Sequence, residues 1–318
     1  MRSQIQNPRS SRPAAFTLIE LLVAIGIIAV LVGLFSPAIY NVIVKARVSE
    51  VKQEIGQIEG AIADFKLKFG MNPPSRIRLY ETGDRTAGTG WFENTAQAKW
   101  SRSIIRRLWP DFNFELDRDF NQDTSFSGFW DLEGDQCLVF FLGGVWDGDK
   151  FAGFSADQRN PFKLSSSGTT TIGPFMDFDA ARVVTSAQVT YTAPLVNFPV
   201  YVDPLPAQIR PYMYASSNEG LGYDSNDVST PASNNSFSIY FLKQKAAAAD
   251  PDPAAWKPET FQIISPGADG EFGAGGPYMP DQTNPLPTLV VGDTIPPAPD
   301  RKAERDNITN FSDGVLVP

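Results

Sequence analysis

From Leu21 to Val44 the chain runs for 24 residues without a charge, long enough to cross a bilayer as one helix. Past Val44 the pattern turns amphipathic. Val51, Ile55, Ile58, Ile62, Phe65 and Phe69 recur at alternating steps of four and three, while Lys45, Arg47, Glu50, Lys52, Glu54 and Glu59 fall elsewhere on the helical wheel. One helix from about Thr17 to Phe69 would be roughly 80 Å long at 1.5 Å per residue. Its second half is expected to lay one stripe on a head domain; a coiled coil is the rival explanation, but only about three heptads are present. Pro37 interrupts the apolar run and predicts a kink. Gly70 and Asn72-Pro73-Pro74 end the helix, because proline cannot continue it and disfavours helix in the residue before it.

The remaining chain is punctuated by turn residues. Ala96 to Trp109 reads as a short helix with Trp100, Ile104, Ile105, Leu108 and Trp109 towards one side, stopped by Pro110, and its arginines Arg102, Arg106 and Arg107 read as a solvated face. Gln136 to Leu142 is apolar core, too short for period to decide between helix and strand. Asp147-Gly148-Asp149 reads as an acidic turn. Strand signals recur at Tyr212 to Ala215, Phe237 to Phe241 and Phe261 to Ile264. The expected fold is α+β: a long N-terminal helix packed on an antiparallel sheet, a pilin-like ladle with a large loop-rich insertion.

Composition narrows the chemistry. A net charge of −9 over 318 residues argues against bulk nucleic-acid binding, which needs a basic face. Histidine is absent, removing the commonest general base and zinc ligand. Cys137 is the single cysteine, with no internal disulfide partner, and is expected as a small buried hydrophobe. With no serine or cysteine nucleophile motif either, an extracytoplasmic enzyme is disfavoured.

Residues 1–15 carry Arg2, Arg9 and Arg12 and no acid, which predicts a cytoplasmic start with the remainder outside. The small pair Ala14-Ala15 precedes the apolar run, whereas a secretory signal peptide has its cleavage site after it. A basic leader, a small residue and then Phe16-Thr17-Leu18-Ile19-Glu20-Leu21-Leu22 resemble the N-terminal signal of type IV prepilins and type II secretion pseudopilins. Ala15 stands where that family usually has glycine. The resemblance implies that a prepilin peptidase cuts after Ala15 and methylates the new amino group of Phe16, leaving Glu20 as the fifth mature residue. A carboxylate in hydrocarbon costs about 2.5–3.5 kcal/mol on insertion scales. The amine of a neighbouring subunit's Phe16 is its implied partner, so Glu20 reads as an assembly key that fixes register. A kink at Pro37 also matches a proline common in the family.

A second resemblance lies near the C-terminus. Phe261 to Gly276 is similar to the end of the major pseudopilin of type II secretion, where a strand runs into a calcium-binding Gly-Ala-Asp-Gly loop. Asp203-Pro204 before Pro211-Tyr212-Met213-Tyr214, and Asp306 to Phe311, also resemble that family. The resemblance implies structural calcium at Asp269, with Glu271 a candidate by spacing and further oxygens from carbonyls or from Asp300 to Asp306.

The expected organisation is a cleaved leader (1–15), a transmembrane and amphipathic helix (16–74) and an extracytoplasmic head (75–318), the head divided into an insertion (75–198) and a sheet with the possible calcium loop (199–318). The expected function is a structural subunit of a type II secretion pseudopilus or type IV pilus-like filament, not an enzyme. It would begin in the inner membrane with its head outside the cytoplasm and end in a periplasmic or extracellular filament. Its partners would be prepilin peptidase, other pilin or pseudopilin subunits and the inner-membrane assembly machinery. The alternatives are a permanently membrane-anchored extracytoplasmic binding module and an adhesive or DNA-uptake minor pilin.

Overall fold

The structure, a computed structural model, describes residues 17–85, 88–120, 125–126, 128–148, 150–163, 170–184, 198–224, 239–244, 251, 253–287 and 301–317. It divides into two compact units, residues 1–46 and 47–318. Helix α1 (Leu18–Phe69) begins in the first and ends in the second, at the boundary that Gly70 and the prolines predict. Helix α1 is unbroken through Pro37, but the side chains at positions 34, 36, 37, 38, 40 and 41 lie outside the description, and with them the expected kink. Among the described residues no helix is long and apolar enough to cross a membrane.

In the second unit the predicted stripe is the buried one. Val51, Ile55, Ile58, Ile62 and Phe65 are buried, and Phe69 is half-buried. The residues packed on it come largely from the region expected as an insertion. Strand β1 (Ile77–Tyr80) pairs antiparallel with β2 (Phe129–Leu132). Helix α2 (Ala96–Leu108) starts on Thr95, whose Oγ1 accepts from the Ala98 amide, and buries Ile104, Ile105 and Leu108; Trp100, expected on the same side, is instead exposed. Helix α3 (Gly134–Gly143) resolves the apolar run at Gln136 to Leu142 as helical. A reciprocal capping box of Glu133 and Gln136 fixes its start, and Cys137 is buried within it.

Five short strands follow: β3 (Phe154–Ser155), β4 (Thr171–Ile172), β5 (Val183–Val184), β6 (Val200–Tyr201) and then the longer β7 (Met213–Ser216). Next come β8 (Tyr240–Phe241), β9 (Phe261–Ser265), β10 (Gly276–Pro277) and β11 (Ile308–Thr309). The expectation of one antiparallel sheet needs correction. Among the described residues the strands form five small sheets, the largest the three-stranded antiparallel β11-β9-β7, and the β8–β10 pair is parallel. The frequent prolines and glycines explain the fragmentation, since proline donates nothing to a ladder and glycine weakens strands. Of the predicted strand at Phe237 to Phe241, the part up to Ser238 lies outside the described residues.

Candidate functional site

Ala15 and Phe16 lie outside the described residues, and description begins at Thr17. There Glu20 turns back on the start of its own helix. Its Oε2 accepts from the Thr17 amide at 2.9 Å and from Thr17 Oγ1 at 2.7 Å, while the Glu20 amide donates to Thr17 Oγ1 at 3.3 Å. This is a reciprocal capping box, which satisfies amides that the first helical turn leaves open and places a negative charge at the positive end of the helix dipole. The signal was in the sequence as a threonine followed three residues later by glutamate. Leu18 within it and Leu22, Ile25 and Val32 beyond it are among the large apolar side chains left exposed along the helix.

The loop after β9 holds the other predicted residues. Asp269 and Glu271 are both exposed. Asp269 Oδ1 accepts from the Glu271 amide at 2.8 Å, and Glu271 is ion-paired with Arg210 at 3.0 Å. Asp306 Oδ2 accepts from the amides of Ala268 and Asp269 at 2.6 and 3.0 Å. Partial burial, with the Asp306 and Glu271 charges adding to it against the Glu271 amide, pushes the Asp269 carboxyl up to about 6. Asp203 is buried and accepts from Ser265 Oγ, the Leu205 amide and Gln208 Nε2, and Gln208 Nε2 also donates to the Gly267 carbonyl at 3.1 Å, which ties Asp203 to the same loop. Asp300 lies outside the described residues. Among those described, no three acidic side chains or cysteines come together as a metal site.

A family model described as the prokaryotic N-terminal methylation motif matches residues 10–36. The chain carries the type IV pilin and pseudopilin signal. The match takes in Ala15, Phe16 and Glu20 and leaves the head untouched. No curated protein and no solved structure matches the chain. This pilin-type signal points to a membrane-anchored protein processed by prepilin peptidase, with a structural role.

One polar cluster lies where the sequence pattern gives no sign of it. Glu54 falls outside the apolar stripe of the helix, yet it is buried, with Arg182, Tyr201 and Tyr212 around it. Arg182 binds both its oxygens, Nη1 reaching Oε2 at 2.7 Å. The Tyr201 hydroxyl donates to Oε1 at 2.8 Å and the Tyr212 hydroxyl to Oε2 at 2.7 Å. Burial and then the adjacent carboxylate push both phenols above their usual range, keeping them protonated as donors. The cluster is saturated, which fits a lock between α1 and the head better than a reaction site. Glu54 stands beside Ile55 on the wheel, but its three partners are more than a hundred residues away in sequence, beyond the reach of local periodicity.

Proposed function

We propose that this protein is a pilin-like structural subunit: cut after Ala15, methylated at Phe16, held in the inner membrane by α1 with its head outside the cytoplasm, and assembled with other pilin or pseudopilin subunits into a filament. The methylation motif at residues 10–36 carries this reading. The charge-free run from Leu21 to Val44 supports the anchor, and the leader's three arginines support the orientation. Assembly machinery of the inner membrane is the further partner this reading needs, and a pseudopilus of type II secretion is the filament it favours. No turnover site is required.

Glu20 acts in this reading as the assembly key. Its bonds to Thr17 reduce the cost of the carboxylate in the monomer, and Oε2 accepts both of them, so Oε1 remains for the Phe16 amine of a neighbour. Ala15 favours a second reading, a permanently anchored extracytoplasmic module, because the residue before the cut is not glycine. Mass spectrometry of the N-terminal peptide, from membranes containing a prepilin peptidase, separates the two. A peptide starting at methylated Phe16 is expected; an intact leader overturns processing. Glu20→Leu is expected to insert and be cut normally but to be lost from filaments, and unaltered incorporation would remove the assembly role.

A further inference from the structure

The C-terminal segment 301–307 is sewn to the loops around residues 267–287 by a consistent rule: acids take amides and bases take carbonyls. Glu304 is wholly buried and its Oε1 accepts from the Ala274 amide at 3.2 Å; Asp306 takes the amides of Ala268 and Asp269. In the other direction Asn307 Nδ2 donates to the Phe272 carbonyl at 2.9 Å. Arg301 Nη1 donates to the Pro277 carbonyl at 2.6 Å and the Pro287 carbonyl at 3.1 Å. Arg301 is itself buried and forked onto Glu304, Nε reaching Oε1 at 2.8 Å and Nη2 reaching Oε2. The loop is shaped to admit this segment. Gly267 and Gly273 both have φ near +70°, and a Cβ on either would strike Asp306 or Glu304 respectively.

We propose that this clamp holds the loop without a divalent cation, the buried Arg301 guanidinium supplying the positive charge that gathers the carbonyl oxygens. Calcium takes about six to eight oxygens, whereas here the acids are engaged by amides or by arginine, and Asn307 Oδ1 is the one buried side-chain acceptor of the segment with no donor. The Arg301–Glu304 pair is neutral overall, so its burial leaves no net charge to compensate. The chain uses the same device elsewhere. Arg118, also buried, donates to the carbonyls of Asn113 at 2.7 Å, Leu116 at 2.8 Å and Arg159 at 3.2 Å and to Asn160 Oδ1 at 3.2 Å. A head closed in this way keeps its C-terminal loop where calcium is scarce, whether or not the leader is cut.

Hydrogen exchange of the full chain in detergent, once with EGTA and once with calcium chloride, tests the clamp. Equal protection of residues 267–277 in the two conditions is expected, and Arg301→Gln is expected to speed exchange there by at least about tenfold in both. Calcium slowing exchange of this loop in the unmodified chain by about tenfold or more would overturn the proposal, and this arm decides even if Arg301→Gln does not fold. Arg301→Gln leaving the loop fully protected would also overturn it. Arg301→Lys keeps the charge but not the planar fork and should fall between.

Discussion

The two halves of the head are held by different physics. Residues 75–198 close on α1 through aromatic rings: Phe65 meets Phe141 and Phe175 at 5.7 and 5.4 Å between centroids, and Trp109 meets Phe69, Phe154 and Phe162 at 5.3, 5.1 and 5.1 Å. These edge-to-face pairs add about 0.5–1.5 kcal/mol each beyond their burial. The C-terminal half has a smaller apolar cluster around Met213, Tyr240, Ile264 and Phe272, and its loops are fixed by side chains bonded to main chain. Lys52 reaches from α1 to the carbonyls of Thr309 and Ser312 at 2.8 and 2.6 Å, Gln262 brackets Tyr240 through both its amide and its carbonyl, and Asn310 ties Glu59 to β9. Where rings are plentiful the chain orders itself by burial, and where glycine and proline prevail it needs directed bonds for each loop.

The largest effect should come from the aromatic half. Trp109→Ala is expected to destabilise the head by about 3–5 kcal/mol in urea denaturation of the full chain in detergent. Trp109→Phe should cost much less, because the indole Nε1 is buried without an acceptor and its removal offsets part of the lost packing. Equal losses for the two variants would show that the ring's size, not its burial among neighbours, sets the stability.

Glu54 sharpens the comparison, since it brings the polar mode into the aromatic half's own helix. Glu54→Gln leaves Arg182 with only its longer ion pair to the more exposed Asp179, at 3.6 Å, and is expected to cost about 3 kcal/mol. Pairing it with Arg182→Gln should recover part of that loss. Simple additivity of the two in the same denaturation series would mean the residues act independently.

The same contrast explains what could be read from the chain. The α1 stripe, the α2 start and stop, β7 and β9 were legible because each is a local pattern of period or punctuation. The Glu20 motif was legible because its residues are consecutive. The buried role of Glu54 was not, nor was the clamp of Arg301, since each depends on partners that only the folded chain brings near. Asp269 stood out only by resemblance, and its neighbours are an arginine-paired Glu271 and an amide-bound Asp306, arrangements that no spacing encodes. The single sheet was over-read because strand signals locate extended segments and say nothing of which segments pair.

The smallest expected effect concerns Asp269 and runs opposite to ordinary acid denaturation. Its carboxyl is pushed up to about 6 in the folded chain, from a usual 3.8, so folding favours the protonated form. Its contribution to stability is therefore present below the unfolded value and is lost as pH rises through about 6. Because the side chain is largely exposed, solvent screening keeps the effect small. Asp269→Asn retains an oxygen for the Glu271 amide and removes the charge, so its melting temperature should match the unmodified chain near pH 3.5 and exceed it slightly at pH 7 when measured with EGTA. A gap constant across that range would mean that neither partial burial nor the neighbouring acids raise the Asp269 carboxyl. A reversed gap at pH 7 in EGTA, with the aspartate form the more stable, would mean that a positive side chain stands closer to this carboxylate than Arg210 does, whereas a reversal that appears only when calcium chloride replaces EGTA would reopen calcium as the organiser of the loop.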